Sequence, residues 1–238
     1  FTNDASSTGI GSIDSAGSVN EEAGFAIVSY TGNETASTLK HGLSTVPQMI
    51  IIKGLISARD WVVGQHTQGW TKSAYLNEAN AFSNQTHWNN TAPTSSVFTI
   101  EGGSNSNVNT NNAAYIAYVF SERQGYSKFG SYTGNGNAND GTFVYTGFAP
   151  AFVMAKRTDS TSQWCMVDNK RPGYNIAVNT IFANSSEVEA TDLGVNLLSN
   201  GFKEDTTNNL GASGGTYIYM AFAENPFVTS TGVPATAR

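Results

Sequence analysis

Three histidines, one cysteine and a scatter of carboxylates are the side chains here that can do acid–base, nucleophilic or metal chemistry. His41, His66 and His87 stand far apart, with no H-x-H, HExxH or CxxC spacing that could hold zinc. Cys165 is the single cysteine and lies in the apolar run "WCMV". It excludes an intrachain disulfide framework and reads as a buried structural thiol. Glycoside hydrolysis needs two carboxyl groups held a few ångströms apart. The candidates are Asp60, Glu78 and Glu101 in the first half, and Asp159, Asp168, Glu187, Glu189 and Asp205 in the second. Most stand beside Ser, Thr or Gly, the setting of a solvated loop carboxylate. No GxSxG elbow is present. "GNGNANDGT" (Gly134–Thr142) has a GxG look but no following helix to hold a phosphate. The amide-rich loops lack the dense Asp spacing of a calcium loop. No catalytic residue, metal or cofactor is therefore assigned, and the chain is expected not to be an enzyme.

Aromatic side chains offer non-covalent chemistry instead. Trp70 and Trp88 lie in the polar stretches "QGWTKSAY" and "QTHWNNTAP". An exposed indole can stack on a sugar ring while neighbouring amides bond its hydroxyls. Trp70, Trp88, Asn89 and His87 are the candidate ligand-binding set. The alternative is that these loops fold back over the end of a β-sandwich or meet a neighbouring subunit. The remaining histidines are expected to be solvent-exposed or capping.

The elements that would position these residues come in two copies. "SYTGN" occurs at Ser29–Asn33 and again at Ser131–Asn135. At the same spacing "AYIAYVFSE" (Ala114–Glu122) falls on "TYIYMAFAE" (Thr216–Glu224). Between these anchors Gly42 matches Gly147, Pro47 Pro150, Lys53 Lys156, Trp61 Trp164, Asn77 Asn179 and Phe98 Phe202, all in order. Collinear matches of this kind mark a duplication. Trp70 and Trp88 have no counterpart in the second copy, so binding is expected to reside in that asymmetry.

Each copy reads as β-strands. "FAIVSY", "PQMIIIKG", "DWVVGQ", "SVFTI" and "AAYIAYVF" are short, rich in Val, Ile, Tyr and Phe, and bounded by Gly, Asn, Ser and Pro. Trp61 and Trp164 are expected in the core, and the lysine that closes each "PQMIIIK"-type strand at the surface. "SSEVEATDLGVNLLSNG" is the one candidate for a helical turn or two, ended by Gly201. The expected fold is all-β: two tandem homologous β-sandwich, jelly-roll-like units over residues 22–125 and 126–227. Residues 1–21 and 228–238 are small and polar, and are read as a linker or subunit-contact segment and a polar tail.

Composition sets the outer limits. Charged residues make up 13% of 238 residues, the formal net charge is −6, and Lys and Arg form no run. Nucleic-acid binding is therefore not expected. No apolar stretch is long enough for a membrane-spanning helix, and no membrane insertion is expected. The chain starts at Phe1 rather than Met, so it reads as a fragment or a processed product.

The ordered strings "GFAIVSYTGN", "HGLSTVPQMIIIK", "AAYIAYVFSE", "YSKFGSYTGNG", "FAPAFVMAKRTDS" and "SGGTYIYMAFAENPF" resemble repeat domains in tail-fibre and related virion proteins of tailed bacteriophages of marine type. The resemblance runs from Glu22 to Phe227. It implies a structural polypeptide of the virion, of which this chain looks like the C-terminal part. It does not identify the host molecule touched; the partners expected are other virion subunits, in a homo-oligomer, and a host surface glycan. It transfers no catalytic residue. The expected function is a tail-fibre or appendage subunit that binds the host surface non-covalently. The alternatives are a purely architectural virion protein, such as a head decoration or fibre shaft, and a fibre-borne polysaccharide-degrading enzyme.

Overall fold

The computed structural model describes residues 1–56, 58–103, 107–171, 179–191 and 194–224. Apart from a one-turn helix α1 (Ala5–Thr8) and a 3-10 turn (His66–Gln68), its regular elements are strands, and every pairing among them is antiparallel. The chain divides into two compact units. Unit 1 comprises Phe1–Leu76 and Phe82–Ser121, and unit 2 comprises Asn77–Ala81 and Glu122–Arg238.

Unit 1 contains β1 (Thr2–Asn3), β2 (Ser15–Asn20), β3 (Phe25–Thr31), β4 (Ser37–Lys40), β5 (Met49–Gly54), β6 (Trp61–Gln65), β7 (Lys72–Tyr75), β8 (Ser83–Asn84), β9 (Val97–Ile100) and β10 (Ala114–Phe120). Eight of these form one sheet in the order β1-β2-β3-β10-β5-β6-β7-β8, and β4 pairs with β9 in a second. Alternation decides what each strand buries. Along β10 the side chains of Tyr115, Ala117 and Val119 are buried and their neighbours half-buried. They meet Ala26 and Val28 of β3, Ile50 and Ile52 of β5, Leu39 of β4 and Phe98 of β9 in a single core. Since that core draws on both sheets, the unit is a sandwich.

Unit 2 contains β11 (Ser127–Thr133), β12 (Phe143–Tyr145), β13 (Pro150–Arg157), β14 (Trp164–Asp168), β15 (Ile181–Phe182), β16 (Val195–Leu198), β17 (Gly201–Glu204) and β18 (Thr216–Ala223). Its larger sheet runs β11-β18-β13-β14-β15 and its smaller one β12-β17-β16. The first four strands repeat the order β3-β10-β5-β6 of unit 1, and the pairing of β12 with β17 repeats that of β4 with β9. Val144, Val153, Cys165, Leu197, Phe202 and Tyr219 are among the residues of its core.

Several expectations need correction. Residues 1–21 are not a linker. β2 pairs with β3 from Ser15–Tyr30 to Asn20–Phe25, and Ile13 and Val19 pack on the core of unit 1. The small residues that suggested a linker are what close packing requires. A Cβ at Gly17 would lie 2.3 Å from the carbonyl oxygen of Ile27 and 2.9 Å from the Phe1 ring. In the stretch expected to form a helical turn, residues 195–201 instead belong to the β16–β17 hairpin, closed by Ser199 and Asn200 between the paired Leu198 and Gly201, and residues 192–193 lie outside the described residues. Val195 and Leu197 alternate into the core there, a period of two rather than 3.6. Lys156 is fully buried rather than at the surface, while Trp61 is only half-buried and stacks on Tyr118 at 6.2 Å. Trp164 and Cys165 lie in the interior. Residues 228–238, read as a polar tail, lie outside the described residues.

Candidate functional site

Two of the four residues expected to bind a ligand are interior, and a third is nearly so. Trp88 is 1% exposed, Trp70 8% and His87 5%. The two indoles meet edge to face at 5.2 Å within the core of unit 1. They fit because β6 carries Gly64, where a Cβ would lie 2.5 Å from Trp88 and 2.8 Å from Trp70. The Trp61–Trp164 match places Val167 at this position in unit 2, which has no such tryptophan pair. The indoles therefore fill the space that a side chain on β6 would take, and neither can offer a ring face to a sugar. Asn89 is exposed, in a turn with a left-handed backbone (φ 48°), and follows the buried Trp88.

His87 does stand near a serine and a carboxylate. Its Nδ1 is 3.2 Å from Ser73 Oγ, and its Nε2 is 3.9 Å from Glu101. The residue types are those of a hydrolase triad, but Ser73 is 1% exposed and no substrate carbonyl can reach it. Burial lowers the His87 pKa, against the opposing pull of Glu101 and Asp60. His41, expected at the surface or as a cap, is fully buried. It spans the Thr94 carbonyl at 3.1 Å and the Leu43 amide at 3.2 Å, and burial lowers its pKa too. His66 is exposed.

The carboxylates are tied to cations, amides or a hydroxyl. Asp159 is paired with Arg157 at 2.9 Å, and Asp205 lies 3.6 Å from Lys203. Asp168 and Glu189 both grip Arg171. Glu78 bonds Asn80 at 2.6 Å, and Asp60 meets Asn107 at 3.4 Å. Glu187 approaches Gln163 at 3.5 Å, and Glu101 takes the Thr86 hydroxyl. Among the described residues no group of three His, Cys, Asp or Glu side chains could hold a metal ion.

The residues that do stand out were not singled out in the sequence. On β12, Val144 points into the core while Phe143 and Tyr145 are 46% and 63% exposed. The ladder register fixes where their backbone groups point. The Glu204 amide donates to the Thr142 carbonyl and the Thr146 amide to the Asn200 carbonyl, so these residues face each other as the bonded positions of the ladder. Pairs alternate along an antiparallel ladder, so the N–H and C=O groups of Phe143 and Tyr145 face away from β17, along an edge that no other described strand pairs. Lys203, opposite Phe143, is held by Asp140 at 2.9 Å. Beside the strand a groove of about 390 Å³ is lined by Glu122, Gln124, Gly125, Lys128, Tyr145 and Gly147, among others.

The arrangement combines two capabilities. The outward aromatic rings suit stacking on an apolar or sugar face, and the outward backbone groups suit pairing with an extended strand. The signal in the sequence was the replacement of Thr38 and Lys40 by Phe143 and Tyr145 at equivalent positions. It was hidden because the intervening loop, "GNGNANDG", is longer in the second copy.

A family model described as a domain of unknown function (DUF7483) matches residues 2–226. No curated protein and no solved structure gives a significant match.

Proposed function

The chain belongs to the DUF7483 family, and from this premise and the geometry of unit 2 we propose that it is a structural subunit of a bacteriophage virion. It is of tail-fibre or appendage type and attaches to the host surface non-covalently. The observation that carries the attachment is the strip of Phe143 and Tyr145, two aromatic rings presented on one side of a strand whose third residue is anchored in the core. A rigid strand holds both rings in place before binding, so little conformational freedom is lost on contact. Exposed aromatic faces held in this way suit stacking on the sugar rings of a host glycan. The virion setting rests on the resemblance of the duplicated strings to phage fibre domains.

The test is competition. Purified chain added to host cells is expected to slow phage adsorption, and Tyr145→Ala is expected to weaken that competition at least tenfold while leaving the fold intact. Equal competition by wild type and Tyr145→Ala would remove this strip from the attachment surface. Density for the chain on the capsid shell, with no competition at all, would favour the purely architectural role.

A further inference from the structure

The duplication supplies an internal control for the open edge of unit 2, because the matching edge of unit 1 is closed. There, β4 stands where β12 stands, with Leu39 opposite Phe98 as Val144 is opposite Phe202. His41 donates to the Ser96 carbonyl, so Thr38 and Lys40 point their backbone groups outward, like Phe143 and Tyr145. In unit 1 three of those four groups are taken. The Thr38 carbonyl accepts from Ser12 N at 2.9 Å and Ile13 N at 3.4 Å, the Thr38 amide donates to Ser12 Oγ at 2.8 Å, and the Lys40 carbonyl accepts from Ser15 Oγ at 3.3 Å.

The glycines that follow make the same comparison. Gly42 and Gly147 share a left-handed backbone, with φ 81° and 85°. A Cβ at Gly42 would meet Val19 at 2.7 Å and Phe1 at 2.8 Å. One at Gly147 would meet only its own neighbour Tyr145, at 3.5 Å and beyond, among the described residues. Within Phe1–Asn20 the Ser12–Ile13 bend and the Ser15 hydroxyl meet the β4 edge, while β2 pairs with β3 and lays Val19 over Gly42; one segment cannot serve two units in this way.

We propose that the β12 edge and its groove receive an extended segment from another polypeptide of the particle, lying along β12 as Ser12–Ser15 lies along β4. The incoming strand bonds the outward N–H and C=O groups of Phe143 and Tyr145. It places an isolated apolar side chain over Gly147, as Val19 lies over Gly42. The chemistry expected of the partner is that of "GIGSIDSAGSVN": small polar residues that allow close backbone approach, broken by single Ile or Val side chains. The attachment proposed above uses the aromatic faces, whereas this contact uses the strand edge, so the two can fail separately.

A synthetic peptide with the sequence of residues 1–20 is the probe, added to the intact chain. The expected result is binding that slows hydrogen exchange at the Phe143 and Tyr145 amides. Proline is tolerated where an edge N–H faces outward, so Phe143→Pro is expected to fold and to bind the peptide at least ~tenfold more weakly, a loss of about 1.4 kcal/mol. Phe143→Ala keeps the N–H and is expected to bind within about threefold of wild type, with the melting temperature of each variant as the control for folding. No peptide binding would overturn the proposal. So would these amides being protected already in the free chain at all concentrations, which would mean that the chain itself fills the groove. Protection that rises with chain concentration would assign the edge to a second copy instead. Peptide binding that Phe143→Pro leaves unchanged would place the strand elsewhere.

Discussion

Tyr132 lies flat against Tyr217, with ring centroids 4.9 Å apart and planes 10° from parallel, and both hydroxyls tie down one stretch of loop. Tyr132 donates to the Leu210 carbonyl at 2.9 Å. Tyr217 accepts from the Ala212 amide at 3.0 Å and reaches the Asn208 carbonyl at 3.3 Å. Tyr30 and Tyr115 repeat the device in unit 1, stacked at 5.1 Å, with Tyr30 bonded to Val108 at 2.7 Å and Tyr115 to Thr110 at 2.9 Å. The tyrosine of each "SYTGN" therefore fastens the loop that leads into the last strand of its unit.

The two hydroxyls of unit 2 differ in what they hold, which sets an order of effects. Tyr217→Phe removes two bonds and is expected to destabilise by about 1–2 kcal/mol, and Tyr132→Phe, which removes one, by about 1 kcal/mol. Urea unfolding of both variants checks this. Neutral behaviour of both would mean that solvent replaces the bonds and that the stacked rings alone hold the loop.

Gly64 and Trp88 are expected to be energetically coupled. Gly64→Ala puts a Cβ within 2.5 Å of the Trp88 ring, which is rigid and enclosed. Overpacking of this kind costs about 1–3 kcal/mol. Trp88→Ala leaves a cavity and costs about 3–5 kcal/mol. In the double variant the new methyl enters the vacated space, so the combined loss should fall short of the sum by at least ~0.5 kcal/mol. Additive losses in a double-mutant cycle would contradict the packing described for β6.

What was legible in the sequence follows from range. Strands such as β3, β5 and β10 announce themselves through alternation and β-branched residues within six to eight positions, and the repeat through strings that survive in order. The tryptophans were misread because local polarity says nothing of a distant glycine. "QTHWNNTAP" looks like an exposed loop until Gly64 is seen to make room for its indole. The first twenty residues were misread for a related reason. Small polar residues suit a flexible linker and a tightly paired edge strand equally, and only the neighbour β3 decides between them. The open edge of β12 was out of reach altogether, since it is defined by the cover that unit 1 has.

Lys156 should give unit 2 a distinctive pH dependence. Its ammonium is buried, bonded to the carbonyls of Ala79 at 3.2 Å and Arg157 at 2.8 Å, and burial lowers its pKa from 10.5 to about 8. Above that value the unfolded chain binds more protons than the native one, so stability should rise with pH. Burial of the Cys165 thiol raises its pKa from 9.0 to about 12 and works in the opposite sense once the pH passes 9.0. The clean window therefore lies between about 8 and 9.0. Melting temperature should climb across it in the wild type, and the slope should vanish in Lys156→Met. A slope that survives the substitution would assign the effect to another group.

Glu204 is the residue at which the two copies solved one packing problem differently. The Leu210 and Val108 bonds align Gly211 with Asn109, and the β17 and β9 registers align Glu204 with Ile100. In unit 1 the Asn109 amide accepts from Asn33 N at 2.9 Å and donates to the carbonyls of Thr35 and Glu101, both at 2.7 Å. In unit 2 the fully buried Glu204 carboxylate turns toward the space left by Gly211. One oxygen accepts from Thr142 N at 3.0 Å and the other has no hydrogen-bond partner among the described residues. Burial raises its pKa, against opposing hydrogen bonds from Thr142 and Thr206. As pH rises from the unfolded value of 4.5 through the folded one, the native state holds the extra proton, so stability should fall and stay lower above that window. Glu204→Gln removes the charge and supplies an N–H toward the Thr206 carbonyl, which also faces Gly211. It is expected to raise stability near neutral pH by about 1 kcal/mol and to abolish the acid-side slope. Urea midpoints at about pH 5 and about pH 8 for both proteins decide the matter. A destabilised Glu204→Gln with the slope intact would show that the carboxylate is held by a partner as well suited to it as the bonds of Asn109.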